Sequence, residues 1–439
     1  MTLATDTSPP QLHTRPVPPD DCTTKIVSTR SSLLFVYCSY FFRYLYLLIL
    51  IPFYAHVLGA AEYGKVLAAM SLFSVVWLVV NYGFSVVGTR NLAAGKDAHF
   101  IGAEFGRHLK ARASMAGLGV LIGTLGTTLS PMLRQMPVYG LLATLLGILG
   151  AFNLGWYFQG TQRFRTSVLL EIAGFAISLT LILTLVRDAG DGVFVLLSLL
   201  VSSAVTTAAA YLIALRQVGL GFLRFTGAWT LLRDSTAMFV SDGASRVMSV
   251  SSTFLLSFFA SAEQVGHFGA AERFAALGLT LMVPANQVMI STVAAGLSRP
   301  EDELRTFRLM RNALMILGLF GIVMCVAALA LSPFVIPLVL GPSFQPSVAI
   351  FQIFALTFPL AAFNQVIGMY ILLPLRQDRF VARATLTGMV CNLLCIVMLA
   401  SDFHGYGVAA ARVMGELATS LVLMFVLQQQ FLVNRIVRA

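Results

Sequence analysis

Seven ionisable side chains fall where the sequence is otherwise apolar: Arg43, Asp242, Arg246, Glu272, Arg273, Arg412 and Glu416. Each lies inside a stretch long enough to cross a lipid bilayer. An ionisable group there costs about 2.5–3.5 kcal/mol on insertion scales and marks a functional site by default. Spacing sorts the seven. Asp242 and Arg246 stand four residues apart, as do Arg412 and Glu416, so each pair shares a helix face and can neutralise itself. Arg43 and Arg273 have no acid three or four residues away, and Glu272 points about 100° around the helix from Arg273. An arginine without a carboxylate offers a planar fork that matches phosphate oxygens. These residues could bind an anion part-way through a membrane, with Asp242, Glu272 or Glu416 as ion-coupling candidates whose proton affinity burial can raise.

The elements that must position them are membrane helices. The 439-residue chain is 58% hydrophobic with a mean hydropathy of +0.84, and only 11% of it is charged, against about 25% in soluble domains. Apolar runs suggest about twelve spans, at 32–57, 63–88, 113–131, 137–159, 167–186, 192–214, 236–260, 264–295, 312–340, 346–374, 384–401 and 405–428. Most of the 29 Lys and Arg lie in alternate gaps and at both ends. Short basic loops stay cytoplasmic, so both termini are expected there and the span count is even. At 1.5 Å per residue, Arg43 lies roughly 17 Å and Arg246 roughly 15 Å from the inner edge. Glu272 and Arg273 lie roughly 13 Å, and Glu416 roughly 17 Å, from the outer edge, all near the middle of a ~30 Å core.

The two halves echo one another. Gly64 and Gly266 lie 202 residues apart, each close behind an acid, Glu62 and Glu263. Ser130-Pro131 and Ser332-Pro333 keep the same interval. Ala151-Phe152-Asn153 returns as Ala362-Phe363-Asn364, and Arg163-Phe164 as Arg379-Phe380. Six spans is an even number, so the second copy enters the membrane as the first does. The expectation is an all-α integral membrane protein of two six-helix lobes related by a parallel pseudo-repeat, with a site between them near the midplane. The parts are a cytoplasmic tail at 1–28, rich in proline and polar residues, lobes at 29–214 and 234–430, a basic linker at 215–233 and a second tail at 431–439.

Other chemistry finds little support. Gly59 to Lys65 fits the first seven positions of a phosphate-binding loop, but Val66 stands where Ser or Thr would hold Mg²⁺, and no strand precedes it. Neither nucleotide nor nucleic acid is expected as a partner. Cys22, Cys38, Cys325, Cys391 and Cys395 make no disulfide framework, and no His joins Cys391 and Cys395 to build a metal site. His267, at the outer mouth of the eighth span, could titrate near neutral pH, but a solvated mouth residue is the favoured reading. No catalytic constellation appears, and neither a cofactor nor a metal is expected.

Several segments carry a family likeness: Ile51-Pro52-Phe53, Val57-Leu58-Gly59, Glu62-Tyr63-Gly64, Asn81-Tyr82-Gly83-Phe84, Thr89-Arg90-Asn91-Leu92-Ala93, Asn153 through Gly160, Ala270-Ala271-Glu272-Arg273-Phe274 with Pro284, and Leu340-Gly341. From about residue 30 to 435 the chain resembles the Wzx-type flippases of O-antigen and exopolysaccharide synthesis, within the MATE-like multidrug/oligosaccharidyl-lipid/polysaccharide exporter superfamily. The resemblance implies a V-shaped pair of lobes around a cationic cavity in a bacterial inner membrane. It implies a polyprenyl-diphosphate-linked oligosaccharide, moved from the cytoplasmic to the periplasmic leaflet. Membrane lipid, and the polymerase and chain-length proteins of the same pathway, are the implied partners. Arg273 matches an arginine of such flippases, and Asp242 resembles their seventh-span acid. The sequence has fewer buried basic residues than a richly cationic cavity would hold.

On this reading Arg43, Arg246, Arg273 and Arg412 are the anion-binding candidates, and Asn81, Asn153, Gln159, Asn286 and Asn364 meet sugars during alternating access. A multidrug antiporter of the same superfamily is the first alternative: it would use Asp242 and Glu272 but has no need of the arginines. A polytopic enzyme acting on lipid-linked sugars is the second, disfavoured by the short outer gaps.

Overall fold

The computed structural model describes residues 29–95, 97–218, 226–281, 289, 293, 303–375 and 377–429; for 29–41, 237 and 240–251 it describes the backbone alone. Among the described residues all regular structure is helical. In chain order the helices are α1 (Thr29–Asn81), α2 (Phe84–Ala94), α3 (Ala98–Leu129), α4 (Pro131–Gln135), α5 (Pro137–Ala151), α6 (Gly155–Gly160) and α7 (Phe164–Leu185). They continue with α8 (Gly192–Val218), α9 (Ala228–Leu256), α10 (Ala262–Thr280), α11 (Glu303–Leu340), α12 (Pro346–Ala355), α13 (Thr357–Gln365) and α14 (Asp378–Gln429). Between α13 and α14 a π-helical stretch occupies Val366–Leu372.

Seven helical runs among these residues are long and apolar enough to cross a membrane. Two of them are hairpins. α1 has 53 residues and α14 has 52, or roughly 80 Å if straight, far more than one ~30 Å crossing needs. α1 turns at Gly59, whose φ of 68° is open to glycine at little cost. Beyond it the chain doubles back, so that the Tyr54 and Tyr63 rings lie 5.7 Å apart. α14 turns at His404, a non-glycine residue at φ 47° and ψ −125°. Its arms pack antiparallel: Gly388 sits against Gly415 and Thr419, and Cys391 Sγ approaches Met414 O at 3.8 Å. The turns fall at the gaps expected between spans one and two and between eleven and twelve.

Local sequence explains the other ends. Ser130 caps α4 by accepting from the Leu133 amide, and Pro131 and Pro137 open α4 and α5, where a missing N–H costs nothing. Ser261 and Gln264 form a capping box at the start of α10. Three expected spans are broken. The second stops at Asn81, because Tyr82 and Gly83 adopt positive φ (41° and 75°) before α2. The fourth breaks at Phe152–Leu154, and the tenth divides into α12, α13 and the π-helical stretch. The third is longer than expected. α3 starts at Ala98, ahead of the expected start at 113, and spans 32 residues, so it exceeds a ~30 Å hydrocarbon core by about three turns.

Packing links the halves through α1, which lies on α3, α5 and α7 on one side and on α10 and α9 on the other. Tyr63, Val66, Leu72, Phe268, Ala270 and Ala271 are buried along this seam. Small residues let the backbones touch. A Cβ on Gly64 would run into the Ala262 carbonyl, and one on Gly266 into the Ala60 carbonyl. Near the other end of α1, Tyr82 stacks on Phe239 of α9 at 4.3 Å and 11°.

Candidate functional site

Arg273 lies in the seam between α10 and the α1 hairpin. Its Nη2 is 3.4 Å from Met70 Sδ, and its guanidinium stands 6.0 Å from the centroid of the Tyr63 ring. No carboxylate among the described residues pairs with it. The Tyr63 hydroxyl beside it is buried and lacks a hydrogen-bond partner. Sequence spacing put Arg273 on a helix face without an acid, and the structure agrees. Glu272 turns the other way and accepts from Thr253 Oγ1 of α9 at 2.6 Å.

Among the described residues, Arg412 and Glu416 of the C-terminal half lie in a polar network. Arg412 Nη2 pairs with Glu416 Oε1 at 3.1 Å on the second arm of α14. Asn364 of α13 donates to Glu416 Oε2 at 2.9 Å, and Ser420 donates to Asn364 Oδ1 at 2.7 Å. Arg412, expected to meet substrate, is thus held by the acid four residues on, and Asn364 is engaged within its own half.

A cavity of about 500 Å³ opens in the N-terminal half between α1, α5, α6, α7 and α8. It gathers three of the expected residues, Arg43, Asn153 and Gln159. Arg43 corrects one expectation: it is not uncommitted, because its guanidinium is ion-paired with Glu171 of α7. Asn153 lies in the break after α5, where its Oδ1 accepts from the Gly155 amide at 2.7 Å and starts α6. Met70 also lines the cavity, so one side chain touches both this space and Arg273.

Asn81 is not brought into either site. It accepts from Ser85 Oγ at 2.7 Å near the turn after α1. Asp242 and Arg246 lie on α9, but their side chains are outside the described residues, as is all of Asn286. Lys65 pairs with Glu62 at 2.8 Å, within a helical segment that forms no phosphate loop. His267 hydrogen-bonds the Ser343 carbonyl at 3.0 Å and is buried rather than solvated.

One polar cluster escaped the sequence analysis. Glu104, Arg107, His108 and Arg112 lie on the extended first part of α3. The Glu104 carboxylate accepts from Arg107, from Asn91 Nδ2 at 2.8 Å and from His108 Nε2 at 3.2 Å. Arg112, only 1% exposed, donates to Ser85 Oγ at 3.2 Å and lies 5.1 Å from the Trp156 ring. His108 stacks on that ring at 4.3 Å. Burial alone would raise the Glu104 carboxyl, but the hydrogen bonds from His108, Arg107 and Asn91 override it and hold it down at about 2. Burial pushes His108 down to about 4 against the pull of Glu104. At neutral pH the imidazole is therefore neutral, donating from Nε2 and facing Arg112 with Nδ1. The spacing of i, i+3, i+4 and i+8 that puts these four on one face was present in the sequence.

The comparisons with known proteins agree with the sequence resemblance. A family profile described as Polysaccharide biosynthesis protein matches residues 31–294, and the chain belongs to that family. A candidate O-antigen transporter of Shigella dysenteriae is 21% identical over 408 residues, covering 91% of this chain and 99% of the relative. Among solved structures, the lipid II flippase MurJ in an inward closed conformation superposes with a TM-score of 0.70 at 13% identity, covering 90% of this chain and 87% of the other. An inward-facing multidrug resistance MATE family transporter of the MOP superfamily gives 0.66 at 16% identity, covering 88% and 94%. The chain is a multi-pass membrane protein with the fold these transporters share.

Proposed function

We propose that this protein moves polyprenyl-diphosphate-linked oligosaccharide repeat units from the cytoplasmic to the periplasmic leaflet of a bacterial inner membrane, for O-antigen or exopolysaccharide synthesis. The observation that carries the reading is Arg273: a cation between the two halves, without a carboxylate partner, beside a buried tyrosine hydroxyl that also lacks one. A guanidinium binds phosphoryl oxygens as a fork. The O-antigen transporter likeness over nearly the whole chain and the flippase fold support this choice over other anions.

On this reading the chain crosses the membrane twelve times: the seven long apolar runs give nine crossings because the two hairpins cross twice, α3, α9 and α10 give three more, and both termini are cytoplasmic. The halves, 29–214 and 234–430, form lobes that rock about the α1–α10 seam while the lipid tail stays in the bilayer. An inside-negative potential favours departure of the anion by about 2.3 kcal/mol per charge per 100 mV for a full crossing. Asp242, Glu272 and Glu416 are the coupling candidates.

The test is Arg273→Gln in the native host. Lipid-linked repeat units should accumulate and surface polymer should fall, with the protein present in the membrane at its usual level. Normal surface polymer in that strain overturns the assignment. Resistance to cationic dyes on overexpression, without any effect on polymer, would instead support the antiporter reading.

A further inference from the structure

We propose that the cavity of the N-terminal half is a carbohydrate subsite, which takes the sugar attached to the diphosphate while Arg273 holds the diphosphate itself. The inference rests on the flippase reading and adds a division of labour between the two places.

Charge is the first argument. The cavity's one basic and one acidic side chain, Arg43 and Glu171, are paired with each other. The space therefore offers no net charge to an anion or to a cationic drug. Its hydrogen-bonding capacity is nonetheless large. Ser167, Ser203 and Gln159 line it, and their side chains have no hydrogen-bond partner among the described residues. Thr206 spends its proton on the Ser202 carbonyl at 2.8 Å, which leaves the hydroxyl oxygen to accept. Neutral donors and acceptors around a void suit an uncharged, polyhydroxylated ligand.

Shape is the second. Tyr46 and Phe175 stack at 4.9 Å on the cavity wall and present an apolar ring surface of the kind the C–H face of a sugar covers. About 500 Å³ exceeds the space one water needs and lies within the range of small-molecule sites, roughly 300–1,000 Å³.

Placement is the third. Met70 lines the cavity and its sulfur lies 3.4 Å from Arg273 Nη2. The sugar of a glycosyl diphosphate is joined directly to a phosphoryl oxygen, so sugar and anion must be neighbours, as these two places are. The pseudo-repeat sharpens the point. Asn153 borders the cavity, whereas its counterpart Asn364 is taken up by Glu416 and Ser420. Only the first copy of this asparagine faces an open space among the described residues.

The experiment measures binding to the full-length protein in lipid nanodiscs. The probes are undecaprenyl diphosphate bearing one hexose and the same lipid without it. The wild type should bind the glycosylated lipid about tenfold more tightly, the equivalent of one or two well-placed hydrogen bonds. Ser203→Phe, which fills the cavity, should bring the glycosylated lipid down to the wild-type affinity for the bare one. Thr206→Val, close in shape and able to keep its helix, should lose part of the difference. Arg273→Gln should weaken both lipids alike. Equal binding of the two lipids by the wild type, or an undiminished preference in both Ser203→Phe and Thr206→Val, overturns the subsite and leaves a water-filled space. If the wild type binds neither lipid, the flippase reading falls and the subsite with it.

Discussion

Gly64 and Gly266 meet across the seam in reciprocal fashion: Gly64 abuts the Ala262 carbonyl and Gly266 abuts the Ala60 carbonyl. Both the glycines and the alanines are 202 residues apart in sequence. A contact in which i meets j and the repeat of j meets the repeat of i has the form of a two-fold interface. The repeat read from the sequence therefore passes its local axis between these two glycines. A methyl group at either place meets backbone rather than a movable side chain.

Gly64→Ala and Gly266→Ala should give the same phenotype, because they are equivalent by the repeat. Each should force the α1 and α10 backbones apart and reduce polymer export while the protein remains in the membrane. Distances between spin labels at Ala60 and Ala262 should lengthen in both. A defect in one variant with wild-type export in the other would count against the shared axis.

The Arg43–Glu171 pair should behave as a unit. Arg43→Glu places two acids at the cavity edge, and Glu171→Arg places two bases there; each should impair export. Joining the exchanges restores opposite charges, so the double variant should export better than either single one. The readout is surface polymer at matched protein level. A double variant no better than the worse single one denies the pair a role.

The α3 cluster should make stability depend on pH. The folded value of His108, about 4, lies below the ordinary imidazole value, so the unfolded chain takes up this proton first as pH falls. The stabilisation is complete above about 6.5 and declines toward pH 4. Glu104, held at about 2, adds a further loss below about 4.5. The unfolding midpoint in detergent should be lower at pH 5 than at pH 7.5, and His108→Gln should shrink that difference. An unchanged difference in His108→Gln would assign it elsewhere.

Trp156 is 4% exposed and supports both His108 and Arg112. Trp156→Ala should cost about 3–5 kcal/mol, the usual range for removing a buried aromatic ring. It should also expose Arg112 to solvent. The check is a lowered unfolding midpoint together with faster hydrogen exchange in α2 and the start of α3. A midpoint within a degree of wild type would show that α6 contributes little to this end of the molecule.

Much of this architecture was legible because membrane helices announce themselves by hydropathy. The repeat supplied the pairing of Gly64 with Gly266. Arg273 was also legible, since its isolation depends on its own helix and on Glu272 turning away. Arg43 was not, because its partner Glu171 arrives from a helix 128 residues further on. Local spacing cannot register such a contact. Arg107, His108 and Arg112 were not legible, because hydropathy starts the third span at 113 and leaves all three in the gap before it. A helix running past the hydrocarbon carries no hydropathy signal, although the one-face spacing of these residues was available. The break at Tyr82–Gly83 had its own cue in glycine, but the apolar residues beyond it masked the stop.

The π-helical stretch at Val366–Leu372 makes the backbone of the second half unlike that of the first. At the matching place after Ala151 the helix is interrupted at Phe152–Leu154 before α6 begins. After Asn364 it stays one continuous coil, wound too wide, with Leu373 N reaching back to Gly368 O at 2.9 Å. The matching places in the two halves thus differ in backbone: a three-residue interruption in one, a widened helical turn in the other.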